Sequence, residues 1–313
     1  MNCACGTLTH INTPVCGRPI LLFQHTDFHW GRQIMRYRNI LVHLDSLPNC
    51  RHRVTAALDL ADRFEARVTG LATTGMLVLP YGLGMAPSGE MVVEWQEQLE
   101  KLARNAVNTF EEAARRRGFE RAESRITEGS EVRALTISAR YADLVVIGQP
   151  DPADKAADAV VVAPGDIVIG CARPVLVVPY IGAPADFGKN VLVAWNGSRE
   201  ACRAVSDALP LLKKAQRVIV MAVDPEIGDY GHGALPGADL ARYLAHHDVN
   251  VDVRTDPGAV ADVGEELLSR IADCEADLLV MGAYGHARAR EWVFGGATRT
   301  VLQSMTVPVL MSH

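Results

Sequence analysis

Long apolar runs are absent from this 313-residue sequence. A membrane-spanning helix needs roughly 18 consecutive apolar residues, and the nearest candidate, Ala159 to Val178, is interrupted by Pro164, Asp166, Arg173 and Pro174. An excess of positive charge is absent too: 31 Lys and Arg stand against 37 Asp and Glu, for a net charge of −6. That balance argues against nucleic acid or an anionic membrane surface as a partner. Cysteine is sparse, seven residues without framework spacing. Cys50, Cys171, Cys202 and Cys274 read as scattered thiols of a reducing compartment. Cys3, Cys5 and Cys16 lie near His10, but no pattern of a packed scaffold surrounds them to support a metal cluster. There is no Gly-x-Ser-x-Gly elbow for a hydrolase and no Cys-x-x-Cys pair for redox chemistry. A leader pattern is missing, since Ile20–Phe23 is too short for an apolar core. We expect residues 1–34 to be a disordered extension and the protein to be cytoplasmic.

What the sequence does contain is a repeat. Ile40–Leu44 reads as a first strand, Cys50 to Phe64 as a helix with Val54, Leu58, Ala61 and Phe64 on one face, and Arg67–Leu71 as a second strand. A helix from Met91 to Arg117 follows, closed by Gly118 after a basic last turn. Arg121–Thr127, Asp143–Gly148 and Val175–Val178 complete the strands, with a helix from Ser130 to Tyr141. Then the pattern restarts. Lys189–Asn196 echoes Arg38–Asp45 at an offset of 151, while Ala276–Gly282 echoes Ala142–Gly148 and Val307–Leu310 echoes Arg173–Leu176 at an offset of 134. The first copy therefore carries 17 extra residues between its first and fourth strands, which we expect in the Gly-, Met- and Pro-rich stretch Thr73–Gly89. Two copies of one β/α unit follow, residues 35–181 and 189–313. Strand–helix alternation with right-handed crossovers makes each an α/β, doubly wound parallel sheet. Ligands in such sheets bind beyond the carboxyl ends of the strands, beside strand one. In the second copy those ends are Ala194–Ser198 and the segment Gly282 to Thr298.

That segment carries ordered glycines: Gly282, Gly285, nine residues, then Gly295-Gly296-Ala297-Thr298, after the buried run Leu278–Met281. Glycines after a strand and before a helix let backbone N–H groups approach an anion, and the helix terminus favours negative charge. With the repeat and the closing Thr-Val-Pro-Val-Leu strand, the chain resembles the universal stress proteins in tandem two-domain form. The resemblance implies five-stranded sheets of order 3-2-1-4-5, pairing of the two domains through their last strands, and a bound ATP or AMP, with or without Mg²⁺. It implies that Ala194, Trp195, Asn196 and Ala222 contact adenine and ribose, with Met281 and Gly282 opposite. Gly285, Gly295, Gly296, Ala297 and Thr298 would offer their backbone to the phosphates. Two positions depart from the family: Asn196 replaces its usual Asp, and Gly296 replaces a Ser or Thr. The first copy keeps Asp45 but reads Gln-Pro-Asp-Pro after Gly148, where prolines cannot donate N–H groups. It is expected to be the structural partner of the second.

The resulting reading is a stress-response protein acting through ligand-dependent interaction with a protein partner, as a paired chain or a homodimer. The alternatives are an interaction module that binds no nucleotide, a slow ATP hydrolase, and a receiver-like phospho-acceptor using Asp45. No catalytic residue is assigned. His286, Arg288 and Arg290 read equally as phosphate contacts or as a solvated loop face, and Asp224 as a loop cap or a cation ligand. His246-His247 end a helix spanning Gly237 to His247, where the dipole suits imidazole. Gly182–Asn190 resembles a phosphate-binding loop but precedes its strand, and reads as the interdomain linker.

Overall fold

Runs of Val, Ile and Leu too short for helices and apolar throughout form strands buried on both faces. In the computed structural model the residues described are 36–75, 88–153, 163–223, 236–256, 262–285 and 296–313. The first half runs β1 (Asn39–Leu44), α1 (Cys50–Phe64), β2 (Arg67–Thr73), α2 (Gly89–Arg116), β3 (Ala122–Thr127), α3 (Glu131–Ala139), β4 (Leu144–Gly148), α4 (Pro164–Gly170) and β5 (Val175–Val178). The second runs β6 (Asn190–Ala194), α5 (Arg199–Leu212), β7 (Arg217–Val223), α6 (Ala238–His246), β8 (Val251–Asp256), α7 (Val263–Asp273), β9 (Leu278–Gly282), α8 (Gly296–Ser304) and β10 (Val309–Ser312). Among the described residues no helix is long and apolar enough to cross a membrane.

All ten strands join one sheet, in the order β3-β2-β1-β4-β5-β10-β9-β6-β7-β8. Each half has the expected order 3-2-1-4-5, and every neighbouring pair is parallel except β5 and β10. Those two run antiparallel, with Val309 on Val177, Leu310 on Leu176 and Met311 on Val175. Leu310 is the repeat counterpart of Leu176, 134 positions on. The centre of the antiparallel ladder is therefore a pseudo-two-fold axis relating the copies. The register inside each half repeats as well: Ile40 lies on Leu144 and Val191 on Leu278. Asp143 accepts the N–H groups of Arg38 and Asn39, and its counterpart Asp277 accepts those of Gly188, Lys189 and Asn190. The donors of the phosphate-loop lookalike are thus spent on an internal carboxylate.

Helices cover both faces. Buried side chains of α1, α2, α5 and α6 form one core and those of α3, α4, α7 and α8 another, each continuous through both halves. Gln149, 2% exposed, ties the halves further, donating through Nε2 to the carbonyls of Leu302 and Gln303 at the end of α8. The surplus residues of the first half are not in Thr73–Gly89 as expected. They lengthen the helix, since α2 has 28 residues against nine in α6.

Because Leu176 and Leu310 face each other on the axis, each truncation to Ala should cost about 3 kcal/mol in urea unfolding. The double variant should differ from the sum by roughly 1 kcal/mol, since the two share one cavity. Strict additivity would show that they do not touch.

Candidate functional site

The topological switch of the second half lies at β6, flanked by β7 on one side and β9 on the other. Ala194 ends β6 with Trp195 and Asn196 just beyond, Ala222 lies at the end of β7, Met281 and Gly282 end β9, and Gly296, Ala297 and Thr298 open α8. The described chain brings these positions to the carboxyl ends of three neighbouring strands. Gly295, His286, Arg288, Arg290 and Asp224 lie outside the described residues.

Local chemistry explains the arrangement. Asn196 Oδ1 accepts the N–H of Ser198 at 3.1 Å, closing a side-chain turn that starts α5. Ser198 Oγ then caps the helix by accepting from Ala201 N at 3.1 Å. Trp195 N donates to the Met221 carbonyl at 2.8 Å, prolonging the β6–β7 ladder. Gly282 is dictated by packing: a Cβ there would sit 2.6 Å from the carbonyl carbon of Glu200 and overlap the backbone of Ala201. Thr298, buried, accepts the Tyr284 N–H through Oγ1 at 3.3 Å and so holds the loop after β9 against the first turn of α8. Tyr284 takes the left-handed conformation, φ 54°, and the hydroxyl end of its side chain lies against Gly165 of α4 in the other half. Burial, then Asp166, raises its hydroxyl pKa.

Sequence reasoning missed Glu200. It is 6% exposed, and its Oε2 lies 3.0 Å from where a Cβ on Gly285 would be. Its carboxylate thus rests against the backbone expected to hold phosphate and, among the described residues, faces the largely exposed guanidinium of Arg199 at 3.3 Å. The available signal was its place in the first helical turn behind a Ser cap, opposite Asn49 at the 151 offset.

The first half turns the same position into something else. Asp45 Oδ1 accepts the Leu47 N–H at 3.0 Å, the same turn as Asn196. Its Oδ2, however, contacts Arg53 Nη2 at 2.5 Å, and Arg53 Nε donates to the His43 carbonyl at 2.7 Å. The guanidinium, 3% exposed, fills the ground beside Gly148, 2.7 Å from where a Cβ would stand. The counterpart of Arg53 in the second half is Ala204. Between Asp45, Arg53, His43 and Gln149 a cavity of about 20 Å³ remains, room for one water. Burial and then Arg53 hold the His43 pKa down at about 3. Burial and then Asp45 push Glu131, 4.0 Å from His43, up to about 7. This cluster was also unread in the sequence, although a His inside the β1 run and an Arg on the apolar face of α1 marked it.

Residues 188–313 match the model of the family described as "Universal stress protein family". A curated universal stress protein of Synechocystis is 34% identical over 100 aligned positions, covering 24% of this chain and 35% of that protein, so the match spans about a third of the relative. A universal stress protein from Archaeoglobus fulgidus, solved by crystallography, superposes with a TM-score of 0.65 at 19% identity over 88% of this chain and 95% of that one. A functionally unknown protein from Pseudomonas aeruginosa gives a TM-score of 0.50 at 13% identity over 88% and 92%. At those identities the two structures speak to fold.

The charged cluster has a pH signature. His43, with its folded pKa below the usual 6.5, gives stability that is full above 6.5 and lost as pH falls toward 3. Glu131, with its folded pKa above the usual 4.5, gives stability that is full below 4.5 and lost as pH rises through 7. The slopes oppose each other between 4.5 and 6.5. Thermal melts of Glu131→Gln should keep only the rise with pH, and melts of His43→Gln only the fall. Unchanged profiles in both would remove the cluster as the cause.

Proposed function

We propose, on the match of residues 188–313 to the universal stress protein family, that the chain is a member of that family and that its second half binds an adenine nucleotide, ATP or AMP, at the carboxyl ends of β6 and β9. The observation that carries the reading is the contrast between Ala204 and Arg53. The same strand end with the same side-chain turn receives a guanidinium from α1 in the first half, whereas the equivalent position of α5 carries only the methyl group of Ala204. Two helix N-termini, those of α5 and α8, face this end and suit an anion.

In this reading Ala194, Trp195, Asn196 and Ala222 line adenine and ribose, with Met281 and Gly282 across the crevice. Asn196 has committed its oxygen to the turn, so its amide nitrogen meets the ribose, as a donor where a carboxylate would accept. Gly285, Gly295, Gly296, Ala297 and Thr298 offer backbone to the phosphates. Glu200 beside Gly285 would repel a bare triphosphate, and its carboxylate would instead hold a Mg²⁺ ion that offsets the phosphate charge. We read residues 35–181 as a partner domain that holds residues 189–313 in shape, and the protein as cytoplasmic, signalling stress by a nucleotide-dependent protein contact. Glu200 also favours a second reading, slow ATP hydrolysis with its carboxylate as the base.

Calorimetry separates these. ATP with Mg²⁺ should bind the full chain, and Gly285→Val should weaken it about tenfold or more, a loss of ~1.4 kcal/mol. Chelating Mg²⁺ should weaken binding to the unaltered protein far more than to Glu200→Gln. No heat at millimolar ATP would remove the nucleotide reading, and phosphate release abolished by Glu200→Gln would promote the hydrolase.

A further inference from the structure

The N-terminal part of α2 belongs to neither strand-end site. α2 and α6 end alike, each followed by a left-handed residue, Gly118 with φ 64° and Asp248 with φ 62°. Counting back from that shared end, the first nineteen residues of α2 have no counterpart in α6. Its buried residues start at Ala103 and continue through Ala106, Val107, Phe110 and Ala114, so no residue from Gly89 to Leu102 is buried. Those turns span roughly 20 Å at 1.5 Å per residue. They are not polar: Met91, Val93, Trp95 and Leu102 are all exposed large apolar side chains.

Their spacing says what they fit. Val92, Trp95, Leu99 and Leu102 follow each other at intervals of three, four and three, the a and d positions of a coiled-coil seam. Every charge of the stretch, Glu90, Glu94, Glu97, Glu100, Lys101 and Arg104, then falls on the b, c and f positions away from that seam. The flanking e and g positions are Met91, Gln96, Gln98 and Ala103, all uncharged. A seam of this period is covered by another helix. The seam is also its own complement when reversed, because turning it about the level of Glu97 sets Val92 on Leu102 and Trp95 on Leu99. Self-complementarity of that kind is what a two-fold interface between identical chains requires.

We propose that two copies of this protein pair through the N-terminal turns of α2 as an antiparallel two-helix coiled coil. Isolated helices this short are marginal in water, but these are anchored by the packed second half of α2, so the seam is presented already formed. Sedimentation velocity of the full chain should show a dimer that dissociates on dilution from ~100 to ~1 µM, as expected of a short interface. Trp95→Glu with Leu102→Glu, and the milder Trp95→Gln with Leu102→Gln, should be monomers at every concentration with thermal melts unchanged, since both side chains are exposed. Glu97→Lys on the outer face should leave the dimer intact. A dimer indifferent to either double variant overturns the proposal. So does a monomer at all concentrations, and in that case shielding of Trp95 from acrylamide would assign the seam to residues 76–87 of the same chain.

Discussion

The fold depends on a ladder of three residue pairs. Where β5 meets β10, Leu176 and Leu310 face each other with Val177 on Val309 and Val175 on Met311. Without that contact each half would present an unpaired, largely apolar edge strand, a template for aggregation. With it, two five-stranded sheets become one, and both cores run uninterrupted from one half into the other. The Gln149 bonds to α8 and the Tyr284 hydroxyl on α4 are later consequences of that proximity. Each half thus rests a residue that follows its fourth strand on a helix of the other.

Once one copy is held by the other, its own pocket is free to change. The first half spends its strand end on an internal ion pair, Arg53 with Asp45, inside a cluster where His43 is kept neutral. A buried guanidinium needs such a partner, since an unpaired buried charge is costly. The second half has Ala204 at the equivalent position, with Gly282 and Gly285 at and after the end of β9. The two strand ends thus carry different side chains on a shared backbone frame.

Much of this was legible in the sequence. α1 spans Cys50–Phe64 as its apolar spacing indicates, and strand positions and repeat offsets agree with the register of the sheet. Local periodicity fixes such elements because each apolar run can be buried in only one way. What escaped was set by distance. Glu200 reaches Gly285 across 85 positions, and Arg53 reaches Asp45 only because α1 folds back on β1. Gly282 looked like an anion-loop glycine, yet it is required by the close approach of α5. The helix expected from Met91 to Arg117 is α2, Gly89–Arg116, but the surplus it carries was assigned to the neighbouring Gly- and Pro-rich stretch, which reads as an insertion.

The central claim is an asymmetry: one frame used twice, with one site kept for nucleotide. Native mass spectrometry of the purified chain in the presence of ATP and Mg²⁺ counts bound nucleotide directly. One nucleotide per chain is the result this account predicts. Two per chain, or none, would contradict it.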